Sequence, residues 1–136
     1  MTTFVLDASA LIRYVDNETG ADRVEEILSA CVALQANICI SAVQWGEVAG
    51  NYRKRFGPVR EAHILSNVLP SEAVIVPADA SRAVRAAALR VDRGISNADA
   101  FAVELAMDSA NHLLVTADYG FKPVDDLARI EFLPAK

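Results

Sequence analysis

Histidine, cysteine and lysine are scarce in this sequence, at two, two and three among 136 residues. Cys31 and Cys39 fit no disulfide framework, and with His63 and His112 unclustered they cannot supply the roughly four ligands of a zinc site. Both cysteines read as core thiols. No apolar run nears the roughly 20 residues that cross a bilayer, so no membrane span is expected. The opening Met1-Thr2-Thr3-Phe4-Val5-Leu6-Asp7 lacks the basic start and long apolar stretch of a secretory signal, which makes the expected location cytoplasmic. A basic excess is missing as well. The net charge is -5, whereas chains that grip phosphate backbones usually carry surplus positive charge. The basic residues that exist are clustered, at Arg53-Lys54-Arg55 with Arg60 and at Arg82, Arg85, Arg90 and Arg93.

Apolar residues, by contrast, make up 53% of the chain and charged ones only 23%, which is ample for one buried core. No repeat, low-complexity segment or linker interrupts residues 1–136, so a single domain is expected. Short runs rich in Val and Ile alternate with longer helical patterns, the signature of an α/β fold with parallel strands and helical crossovers. The predicted strands are Thr3–Leu6, Ile38–Ser41, Val74–Val76, Leu113–Thr116 and Ile130–Leu133, each apolar enough for burial on both faces. Helices are predicted over Ala8–Tyr14, Ala21 to about Leu34, Val43–Phe56, Pro58 to before Pro70, Asp79–Asp92 and Ser96 or Asn97 to about Ser109. Gly57-Pro58 and Gly94 supply stop signals.

Four acids stand out against this frame. Asp7 directly follows the first strand and Asp118 the fourth, so both emerge at the carboxyl edge of a parallel sheet, where ligands bind. Glu47 falls about one turn into the helix leaving the second strand. Asp99 sits at the third position of a helix capped by Ser96, near its positive N-terminal dipole. Singly, each is open to a blander account: Asp7 as a helix cap, Asp99 as a first-turn acid, Glu47 as a surface acid, Asp118 as a turn residue. Together they weigh differently, because their neighbours are apolar, small or hydroxylic, as in Val5-Leu6-Asp7-Ala8-Ser9 and Val115-Thr116-Ala117-Asp118. At about 6 Å and an effective dielectric near 20, each like-charged pair costs roughly 3 kcal/mol, so the cluster calls for a counter-ion. Oxygen-only donors select a hard dication, Mg²⁺ or Mn²⁺.

Four segments carry a resemblance that spans essentially the whole chain: Val5-Leu6-Asp7-Ala8-Ser9-Ala10-Leu11, Ser41-Ala42-Val43-Gln44-Trp45-Gly46-Glu47-Val48, Ser96-Asn97-Ala98-Asp99-Ala100-Phe101 and Leu114-Val115-Thr116-Ala117-Asp118-Tyr119-Gly120-Phe121. In this order the chain resembles the PIN-domain ribonucleases, and among them the VapC-type toxins of toxin–antitoxin pairs. The resemblance implies a three-layer α/β fold with a parallel sheet of four to five strands. It maps the catalytic quartet onto Asp7, Glu47, Asp99 and Asp118, with Asp7, Asp99 and Asp118 as Mg²⁺ or Mn²⁺ ligands and with Ser9 and Thr116 supporting the acids. It further implies RNA cleavage, a homodimer and a VapB-like antitoxin. Many relatives carry another acid two residues after the Asp118 position, where this chain has Gly120, so a second metal ion is left open.

Arg53, Lys54 and Arg55 are the best candidates for an RNA or partner contact, although a solvated helix end accounts for them equally well. Trp45 suits a core or dimer-interface position better than base stacking, and Arg13 and Tyr14 suit the surface. Two other functions compete. A phosphatase-like enzyme with Asp7 as nucleophile needs a second acid two residues on, where this chain has Ser9. A catalytically silent PIN-fold interaction module has no use for four intact acids.

Overall fold

Every second residue of the short apolar segments faces the same way, and this alternation builds two cores rather than one. A computed structural model describes residues 1–136. It contains strands β1 (Thr3–Leu6), β2 (Asn37–Ser41), β3 (Val74–Val76), β4 (His112–Thr116) and β5 (Ile130–Phe132). All pair in parallel, in the order β3-β2-β1-β4-β5. The helices are α1 (Ala8–Val15), α2 (Ala21–Val32), α3 (Ala42–Phe56), α4 (Pro58–Asn67), α5 (Ala80–Arg93) and α6 (Asn97–Ala106), followed by a short 3-10 helix over Tyr119–Val124. Phe4, Leu6, Ile38 and Ile40 point into a core covered by α1 to α4. Val5, Cys39 and Leu114 point the other way, into a core covered by α5, α6 and the 3-10 helix. The result is the three-layer α/β fold with helices on both faces that a buried parallel sheet requires. None of the helices is long and apolar enough to cross a membrane.

The order of strands decides where a site can form. From β1 the chain moves outward through β2 to β3, then returns across the sheet to place β4 on the other flank of β1. Connections therefore diverge between β1 and β4, and the crevice at their carboxyl ends is the binding position of an open parallel sheet. The register pairs Leu6 with Val115, which sets the residues that follow each strand side by side.

Several sequence expectations need correction. β3 is not buried on both faces: Val74 is 56% and Ile75 41% exposed, because this edge strand has a neighbour on one side only. α2 stops at Val32, short of Leu34, because Leu34 takes a left-handed φ of 60°. α6 ends at Ala106 rather than near Ser109: the Asp108 N–H reaches back only to the Leu105 carbonyl, and the coil tightens into a turn. The 3-10 helix was not expected from its Gly and Pro content. It forms because the Asp118 side chain accepts the Gly120 N–H and because Phe121 and Val124 are fully buried. Tyr119 then stacks on Phe132 at 5.2 Å, fastening the segment to β5.

Candidate active site

Asp7 enters the crevice as the residue after β1, its N–H bonded to the Val115 carbonyl of β4 at 3.4 Å. Its extended backbone makes it the N-cap of α1, with Oδ1 accepting the Ala10 N–H at 2.9 Å. The capping account is therefore correct, and it is incomplete. The Ser9 hydroxyl donates to Oδ1 at 2.8 Å and lies 3.0 Å from Oδ2, while Thr116 Oγ1 donates to Oδ2 at 2.6 Å. The same two hydroxyls hold the strand-end loop, Ser9 Oγ accepting from the Ala117 N–H and Thr116 Oγ1 from the Asp118 N–H, each at 2.9 Å. Two hydroxyl side chains thus couple the position of Asp7 to that of Asp118.

An open cleft of about 640 Å³ gathers Asp7, Glu47, Asp99 and Asp118, together with Ser9, Gln44, Ser96 and Asn97. No lysine or arginine lines it. Asp7 is 2% exposed, Asp99 half-buried, and Glu47 and Asp118 exposed. Burial pushes the Asp7 carboxyl from 3.8 up to about 6 even though Thr116, Ala10 and Ser9 all donate to it, and the charge of Asp99 adds to the rise. Asp99 is raised as well, first by burial, then by the charge of Asp118, with a smaller push from Glu47. Each acid makes the next harder to ionise, which is what carboxylates do when they share a site without a cation. A larger hollow of about 760 Å³ beside His112, Lys122 and Arg129 contains none of the four.

The donor set fits a hard dication, since it offers oxygen only and places no cation of its own among the acids. No three acidic, histidine or cysteine side chains approach closely enough to form a ready-made cage. Mg²⁺ does not need one, because it typically takes one or two carboxylates and keeps several waters. Asp118 commits Oδ1 to the Gly120 N–H at 2.8 Å, and a Cβ on residue 120 would stand 2.9 Å from that same oxygen. The Asp118 carboxylate occupies the space that a side chain at 120 would need.

A family profile described as the PIN domain matches residues 4–127. This chain belongs to the PIN domain family. A search of curated proteins finds no significant sequence match. Among solved structures, the PIN fold of this chain superposes on the promoter-bound VapBC2 structure of Rickettsia felis with a TM-score of 0.74 at 20% identity, covering 98% of this chain and 100% of the other. VapC20 of Mycobacterium tuberculosis, described as a toxin that cleaves the sarcin–ricin loop, gives 0.73 at 17% identity over 96% and 99% of the two chains. VapBC-5 of the same organism gives 0.61 at 17% identity over 99% and 100%. At such identities these likenesses establish the fold, which is that of toxin–antitoxin PIN domains.

Within the PIN fold the basic triplet lies in the last turn of α3, at the end away from the cleft. Arg55 donates to Asp16 at 2.9 Å and stacks over Tyr52 and Phe56, and Arg53 pairs with Glu61 at 3.2 Å. Lys54 is exposed and makes no ion pair. Trp45 is partly buried against the α1–α4 core and does not line the cleft. Arg13 ties the Thr19 and Pro134 carbonyls together at 2.7 and 3.1 Å. Sequence reasoning passed over Gln44, which is 3% exposed and lines the cleft. An amide in the first turn of an amphipathic helix reads as surface, and its only local signal was its place one turn before Glu47.

Proposed function

We propose that this PIN domain is a Mg²⁺- or Mn²⁺-dependent endoribonuclease and the toxin of a toxin–antitoxin pair. The observation that carries the reading is a cleft in which four carboxylates meet no basic side chain, with Asp7 so deeply buried that its carboxyl is pushed up to about 6. Near neutral pH Asp7 is ionised, and the uncompensated negative charge favours a dication and, through it, a phosphodiester. A bound Mg²⁺ supplies charge stabilisation at the phosphate and a more acidic water. Asp7, Asp99 and Asp118 would hold the ion. Ser9 and Thr116 fix the orientation of Asp7. Glu47, which lines the same cleft and is not one of those three ligands, would accept the proton of the attacking water.

The phosphatase alternative gains nothing from the geometry. The position two residues after Asp7, where that chemistry needs a second acid, is a serine that donates to Asp7. For partners, the likeness to VapBC structures supports a VapB-like antitoxin, with RNA as substrate. Of the triplet Arg53, Lys54 and Arg55, Lys54 makes no ion pair and is the most open to contact with either. A homodimer would cover Val84 and Val91, which lie two turns apart on α5 at 72% and 70% exposure. The deciding experiment incubates purified protein with RNA and Mg²⁺. Wild type cleaves, EDTA stops it, and Asp7→Asn is inert while keeping the far-ultraviolet spectrum of the fold. Metal-dependent cleavage retained by Asp7→Asn refutes the assignment.

A further inference from the structure

The four acids are carried on helices or helix caps that belong to different layers, and one buried side chain touches the backbone beside two of them. Gln44 Oε1 accepts the Ala8 N–H at 2.7 Å, and its Nε2 donates to the Ala98 carbonyl, also at 2.7 Å. Ala8 follows Asp7 and opens α1, in the first core; Ala98 precedes Asp99 in the first turn of α6, in the second core. Gln44 itself stands one turn before Glu47 on α3. Its amide therefore spans the carboxyl edge of the sheet, from one layer to the other, at the floor of the acidic cleft.

The polarity of this bridge is fixed. Ala8 N–H is one of the donors that a helix start leaves without an intrahelical partner, and in a buried position it needs an acceptor. At Ala98 the group that Gln44 meets is the carbonyl, an acceptor. A side chain that joins the two must accept at one end and donate at the other, and must be as long as glutamine. Backbone hydrogen bonds of the sheet set Asp7 against Asp118, but no strand pairing sets Asp99 or Glu47 against Asp7, since α6 and α3 lie beyond the strand ends. Ser9 and Thr116 do not reach them either. Gln44 is the only side chain with hydrogen bonds to both the α1 start and the α6 start.

We infer that Gln44 is a positioning residue: it sets the spacing between Asp7, Glu47 and Asp99, and through that spacing the affinity of the cleft for its divalent ion. The inference rests on the metal-nuclease reading given above and deepens it. Outer residues that orient metal-binding side chains typically change affinity by about 10- to 100-fold when replaced.

Mn²⁺ binding to the intact protein, measured by calorimetric titration well below the melting temperature, tests this. Gln44→Met keeps the length and removes both hydrogen bonds; Gln44→Asn keeps the amide but is one methylene too short to span Ala8 and Ala98. Both raise the Mn²⁺ Kd by roughly 10-fold. Tyr52→Phe, which loses a buried hydrogen bond to Asp16 at 3.0 Å far from the cleft, lowers the melting temperature without moving the Kd. If Gln44→Met does not fold, Gln44→Asn decides alone. A Kd within about twofold of wild type in the folded Gln44 variants, whatever their stability, overturns the role. Wild-type protein that binds no Mn²⁺ overturns the metal-nuclease reading itself, a separate outcome from wild-type binding that the Gln44 variants share.

Discussion

Asp7→Asn should make the metal-free protein more stable, although it removes a carboxylate proposed to hold the metal ion. In the folded chain the Asp7 carboxyl is raised from 3.8 to about 6. At 1.36 kcal/mol per pH unit, the ionised group therefore destabilises the fold by about 3 kcal/mol above pH 6. The sign follows from proton binding: between pH 3.8 and about 6 the native state holds a proton that the unfolded chain has lost, so stability falls as pH rises through that window. Asparagine carries no charge at any pH. Its Oδ1 can keep the Ala10 and Ser9 donors, but its Nδ2 faces Thr116, whose hydroxyl must turn toward Ser9 Oγ, 3.2 Å away. That rearrangement costs about 1 kcal/mol. The net gain is about 2 kcal/mol near pH 7.5, or on the order of 6 °C in melting temperature for a domain of this size. Thermal melts in EDTA at pH 7.5 and pH 4 measure it. The gain must vanish at the lower pH, where the cost of the rearrangement remains, and Mg²⁺ must raise the melting temperature of wild type more than that of the variant. An asparagine variant that is no more stable than wild type at pH 7.5 in EDTA, or a difference that ignores pH, refutes the account of a strained charge.

Thr116→Val removes the hydroxyl that lowers the Asp7 pKa, so the acidic limb of the pH–rate profile moves to higher pH and stability falls by about 1–2 kcal/mol; an unmoved limb counts against the coupling. Gly120→Ala pushes the Asp118 carboxylate off its Gly120 N–H and raises the Mg²⁺ concentration for half-maximal cleavage several-fold, read from metal titrations of rate. Arg82→Met strands Glu104, which is 4% exposed and receives Arg82 at 2.7 Å. The expected loss is about 3 kcal/mol in urea denaturation, and a loss under about 1 kcal/mol would show that Arg85, at 3.3 Å from the same carboxylate, suffices on its own.

The strands were legible because their apolar runs are short and bounded by turn residues, and Asp7 and Asp118 followed from them, since a residue just past a parallel strand has one edge to occupy. Glu47 and Asp99 came from helix phase after Ser41 and Ser96, both of which cap their helices in the structure. What sequence could not supply was partnership over distance. Nothing local to Arg55 points to Asp16, and nothing local to Gln44 points to Ala8 or Ala98. The 3-10 helix was hidden for a related reason: Gly120 and Pro123 read as turn residues until Asp118 is seen capping them. β3 read as buried because its Val-Ile-Val composition does not record that the sheet ends there.

The pairing of β1 with β4 has a temporal consequence. Asp7 and Thr116 are 109 residues apart in sequence, and synthesis delivers the first well before the second. A translation product cut short before His112 lacks β4, so β1 keeps a neighbour on one side only and three of the four acids stand without Asp118 and the Thr116 hydroxyl. A nascent chain shorter than 118 residues therefore carries an incomplete acidic cleft.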